Sequence, residues 1–68
     1  MNYIFELARF MHDTITSEHT AHMIRHLSQH AFQHFMQHHA PGLWQLVKDN
    51  IAEVYAFVQD WVAAYLLS

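Results

Sequence analysis

Residues 17–42, SEHTAHMIRHLSQHAFQHFMQHHAPG, decide how this chain is read. The stretch follows a cap-forming run, Asp13-Thr14-Ile15-Thr16-Ser17-Glu18, and ends on Pro41-Gly42. Thr16 or Ser17 is suited to accept a hydrogen bond from an orphan helix N–H, and Glu18 suits the positive end of a first turn. Proline removes an amide donor and restricts the residue before it, so the helix stops near His39. Between these marks Met23, Ile24, Leu27, Ala31 and Phe35 form an apolar stripe at helical spacing. The pattern predicts one helix over residues 17–39.

Within that helix His22, His26, His30, His34 and His38 recur at every fourth position, while His12, His19 and His39 lie outside the ladder. Side chains at i and i+4 are about 5–6 Å apart at Cβ, so each adjacent pair can grip one ion or titrate as a unit. Neutral imidazole is the commonest transition-metal ligand. Two such pairs, one from each of two subunits, complete a tetrahedral zinc site, and a tetragonal arrangement suits copper(II) or nickel(II). The candidate ligands are His19, His22, His26, His30 and His34, with His19, His22 and His26, next to Glu18, as the favoured cluster. The ladder is also a tetrapeptide repeat ending in Arg-His or Gln-His, from Met23 to His38, and such repeats expand without selection on each histidine. A four-residue step drifts by about 40° on an α-helix. His22 and His26 are therefore expected on the exposed side, with His34 and His38 half-buried against the Met23/Leu27/Phe35 face.

N-terminal to this stretch, Ile4, Leu7, Ala8 and Met11 share a face, flanked by Tyr3 and Phe10, which predicts a helix over residues 2–12. Its stripe points more than a third of a turn away from that of residues 20–36, favouring a break near the cap-forming run over one bent helix from 2 to 39. C-terminal to the stretch, Pro41 suits a first helical turn. Trp44, Val47, Ile51, Val54, Val58, Trp61 and Tyr65 then follow at heptad spacing, predicting a helix over 42–67. Tyr55, Val62 and Leu66 run beside this seam, with Leu43, Leu46, Asn50 and Phe57 on the other flank. Such an arc is wider than one partner helix covers.

The expected fold is all-α, one domain over 1–68: an antiparallel helical hairpin with a short N-terminal helix, pairing into a homodimeric four-helix bundle. The expected oligomer or partner interface is Trp44, Val47, Ile51, Val54, Tyr55, Phe57, Val58, Trp61, Val62, Tyr65 and Leu66. Of these, Phe57, Tyr55 and Leu66 are the better candidates for contacts outside the chain.

Composition narrows the function. Sixty-eight residues bury little surface, and with no cysteine a disulfide is excluded, which favours a metal or a second copy as the source of added stability. A hydrophobic fraction of 53% with 13% charged residues describes a folded chain. The formal charge of −3 offers no basic surface for phosphates near neutral pH; protonating all eight histidines reverses it to +5. The start of the chain lacks a signal-peptide pattern, and Glu53, Gln59 and Asp60 interrupt the most apolar stretch, so the reading is a cytoplasmic protein with no membrane span. Ser17, Ser28 and Ser68 lie in no nucleophile elbow, no glycine loop cradles phosphate, and the chain reads as a non-enzyme. Glu-x-x-His pairs for a di-iron site and a c-type haem attachment motif are both missing. Met11, Met23 and Met36 read as core filler more readily than as copper(I) ligands.

The sequence thus supports a non-enzymatic, homo-oligomeric helical module that binds a partner protein. The alternative is a zinc-, nickel- or copper-binding or buffering protein that uses the ladder. A lesser one is a pH-responsive histidine switch.

Overall fold

In the computed structural model, residues 3–68 are described, and all regular structure among them is helical. The order is α1 (Ile4–Thr14), α2 (Glu18–Arg25), α3 (Gln29–His39), α4 (Pro41–Val47), a 3-10 turn (Lys48–Asn50) and α5 (Ile51–Leu67). Asn2, the expected first residue of the N-terminal helix, lies outside the described residues.

Two expected boundaries hold in their physical detail. Ser17, in extended conformation at φ −148° and ψ 160°, accepts a hydrogen bond from the Thr20 amide at 3.3 Å, with Glu18 in the first turn of α2. Ala40 serves both as the last cap of α3 and as the residue before α4, whose first position is Pro41.

Two expected helices are each divided. The helix predicted over 17–39 breaks at His26-Leu27-Ser28, because Ser28 caps a new helix: its hydroxyl accepts from the Ala31 amide at 3.1 Å. Serine competes for backbone donors in this way, which makes it a better start than interior. The helix predicted over 42–67 is interrupted by a 3-10 turn at Lys48-Asp49-Asn50, whose last residue, Asn50, leaves helical geometry at φ −126° and ψ 29°.

The first break changes the phase of everything after it. Beyond Ser28 the buried residues are Phe32 and Met36, and the expected stripe residues Ala31 and Phe35 are only half-buried. Before it, Ala21 and Ile24 are buried, whereas Met23 is exposed. With the core stripe rotated onto Phe32 and Met36, His34 and His38 are exposed instead of packed, and so are the other six histidines.

The core draws on every helix. Leu7 and Met11 of α1 meet Ala21, Ile24, Phe32, Met36, Leu43, Val47, Val54, Val58 and Val62, with Ile15 from the connection after α1. Four residues expected at an interface between chains, Val47, Val54, Val58 and Val62, are therefore sealed inside this chain, at 0–1% exposure. The reason is that α2 and α3 both pack against α5 while Leu7 and Met11 of α1 join the same core, a cover that a single hairpin partner does not supply. A Cα radius of gyration of 11.1 Å agrees with the roughly 11 Å of a packed domain of this length. The chain closes its own core, and only part of the predicted apolar arc remains outside.

Candidate functional site

Part of what remains outside lies on α1 and α5, while Met23 of α2 and Leu46 of α4 are exposed elsewhere. Phe5 on α1 is 75% exposed, and Phe57 and Tyr65 on α5 are 36% and 39% exposed. Phe57 packs edge-on against Trp61, with ring centroids 5.7 Å apart. Trp61 in turn lines a groove of about 480 Å³ with Phe5, Ala8, Arg9, His12 and Asp13. Its walls are mostly apolar, and Arg9 and Asp13 stand one helical turn apart at its edge.

This face follows from local pattern. Leu7 and Met11 turn α1 inward, which forces Phe5 and Ala8 onto a different side of the helix. On α5, Val54, Val58 and Val62 set the inward direction, and Phe57, Trp61 and Tyr65 sit on one edge of it at four-residue steps. A phenylalanine exposed as much as Phe5 is a feature to be explained, since isolated exposed side chains are ordinary but grouped aromatic ones mark contact sites.

The other expected interface residues have work inside the chain. Tyr55 donates its hydroxyl proton to the Leu27 carbonyl at 2.6 Å, and its ring meets Phe32 edge-on at 5.6 Å. Trp44, Ile51, Tyr55 and Leu66 are half-buried against the core. Tyr55, expected to reach another chain, thus closes the break between α2 and α3. Gln59 acts beside it: its amide donates to the Ile24 carbonyl at 2.9 Å, and its side-chain oxygen accepts from the Arg25 guanidinium at 3.2 Å. Arg25 also donates to the Gln59 backbone carbonyl at 3.2 Å. At the end of α2, therefore, α5 supplies the donor for the Leu27 carbonyl and a second one for the Ile24 carbonyl, which also accepts from the Leu27 amide at 3.1 Å. Among the described residues no buried side-chain nitrogen or oxygen lacks a partner.

Tyr55→Phe tests this clamp. The variant keeps the ring and strips the donor from the Leu27 carbonyl, and because the site is only part-buried the loss should fall near about 1 kcal/mol. Urea unfolding should show a lower midpoint with unchanged slope. A midpoint equal to that of the parent would mean that water replaces the hydroxyl at no cost.

The break also dismantles the ladder. His22 remains in α2, His26 lies in the turn beyond it at φ −88° and ψ −3°, and His30, His34 and His38 belong to α3. The favoured cluster of His19, His22 and His26 is not assembled: among the described residues no three His, Asp or Glu side chains come together as a metal-binding group. One pair is brought together. The Nε2 atoms of His30 and His34 stand 3.2 Å apart, and the rings meet edge to face. His39 packs against Phe35 at 4.5 Å between centroids, with His38 beside it at 5.0 Å. His12 approaches Asp13 at 3.9 Å on the surface.

Phe5 and Gln59 are absent from the sequence-based site. Phe5 is signalled by being a large apolar residue off the Leu7/Met11 stripe, and Gln59 by being an uncharged polar residue that, with Glu53 and Asp60, interrupts a mostly apolar run. No helix of the described residues is long and apolar enough to cross a membrane. No protein-family model, curated protein or solved structure matches the chain.

Proposed function

We propose that the protein is a small, non-enzymatic interaction module that self-associates through the α1/α5 face, pairing its helices into a bundle and presenting the assembly to a partner protein. The observation that carries this reading is an apolar groove lined by Phe5, Ala8 and Trp61, with the exposed Phe57 ring packed against Trp61 beside it, after the core has been closed. Aromatic side chains held on rigid helices lose little entropy on burial and dominate interface energetics.

A second copy of the chain is the occupant best matched to this groove. A twofold interface must be self-complementary, since each patch meets itself. Arg9 and Asp13 supply opposite charges on one wall, so that Arg9 of one copy faces Asp13 of the other across such an axis. The paired apolar face also supplies the additional burial that a chain of this length benefits from.

A concentration series of amide spectra tests the reading. Raising the protein concentration should move resonances at Phe5, Ala8, Phe57, Trp61 and Tyr65 and leave those of the α2–α3 turn in place. Shifts spread over all helices, or confined to α3, would contradict it.

A further inference from the structure

We propose that His30 and His34 chelate one divalent transition-metal ion, of the zinc, nickel or copper(II) class, on the exposed face of α3. The inference goes beyond the interaction reading and uses a different surface. Its basis is the spacing of the two nitrogens. Two imidazole nitrogens each about 2.0–2.1 Å from a shared ion stand about 2.9 Å apart when the angle at the metal is 90°, and about 3.3 Å apart when it is tetrahedral. The Nε2 atoms of His30 and His34 are 3.2 Å apart, between these limits. The two nitrogens, which share a hydrogen bond in the metal-free chain, therefore have the spacing that a single ion demands once the shared proton moves to Nδ1 of its ring.

The helix that carries the pair is held firmly on its other side. Phe32 lies between the two histidines in sequence and is fully buried, as is Met36 one turn on, and the Ser28 hydroxyl caps the start. Ordering of the helix has already been achieved by packing, so chelation costs only the two side-chain rotamers. Exposure of both rings leaves the ion's remaining positions to water. Nitrogen ligands without carboxylates select zinc, nickel and copper(II) over magnesium and calcium, which require oxygen.

Chelation is distinguishable from the loose affinity of eight exposed histidines. Nickel(II) titrated calorimetrically into the untagged full-length chain should bind at one ion per chain. Both His30→Gln and His34→Gln should lower the affinity tenfold or more, because either removes the chelate, while His19→Gln should stay within twofold of the parent. Glutamine preserves helix propensity at these exposed positions, and far-UV circular dichroism without metal verifies the fold. In the unaltered protein, zinc(II) should first move the imidazole C–H resonances of His30 and His34, and magnesium(II) should move none. Equal losses in His30→Gln and His19→Gln, or zinc shifts shared evenly among all the histidines, would overturn the proposal.

Discussion

Replacing Phe32 by alanine is expected to leave much of the protein unfolded at room temperature. Phe32 is completely buried and is the largest of the fully buried side chains. It stands where α3 meets α5, with its ring edge-on to Tyr55, the residue that also closes the α2–α3 turn. Truncating a buried phenylalanine costs about 3–5 kcal/mol, from lost transfer energy and the cavity left behind. At about 0.05–0.15 kcal/mol per residue, a domain of this size has only some 3–10 kcal/mol in total. The substitution therefore removes a large share of the stability. Thermal melting followed by far-UV circular dichroism should show a midpoint lowered by about 15 °C or more, since 1 kcal/mol moves it by about 4–8 °C in a domain of this length. Phe57→Ala, at a partly exposed ring, should cost much less in the same experiment at concentrations where the chain is monomeric. If Phe32→Ala melted within a few degrees of the parent, the closed single-chain core would be wrong.

Charging the opposite surface should leave folding intact and abolish association. In the double variant Phe5→Asp, Phe57→Asp, both substituted side chains lie outside the core, and Phe5 is three-quarters exposed. Across a twofold interface the change places four carboxylates in the contact region instead of four aromatic rings, adding like-charge repulsion and desolvation to the lost burial. Aromatic anchors in such patches are each worth about 2 kcal/mol or more. The dissociation constant should thus rise by about a hundredfold or more, at 1.4 kcal/mol per factor of ten. The far-UV spectrum should be unchanged. An undiminished association constant would place the interface elsewhere.

The same residues show how much of this structure was legible in the sequence. The helical class, the Ser17 cap, the stop before Pro41 and the apolar seam of Val47, Val54 and Val58 were all readable, because caps, proline and periodicity act over a few residues. The break at Ser28 was not. A serine inside a helical pattern is compatible with continuation, and what tips the balance is tertiary: Tyr55 and Gln59, about thirty residues away, donate to the Leu27 and Ile24 carbonyls at the break. From that single turn followed the wrong phase for residues 31–36, the mistaken burial of His34 and His38, and the apparent continuity of the histidine ladder. Four of the expected interface residues, Val47, Val54, Val58 and Val62, are core for a related reason. The apolar arc on the third predicted helix is visible in its periodicity, but whether that arc meets another chain or the protein's own α2 and α3 depends on how those helices pack, which periodicity does not encode. Phe5 and Phe57 became distinguishable from Val54 and Val58 only once the inward directions of α1 and α5 were fixed together.

Sedimentation velocity of the untagged full-length chain over a range of concentrations at neutral pH tests the proposed self-association most directly. The expected result is a concentration-dependent shift from the mass of one chain to twice that mass, absent from the Phe5→Asp, Phe57→Asp variant. A single compact species at the mass of one chain at every concentration, in parent and variant alike, would contradict it.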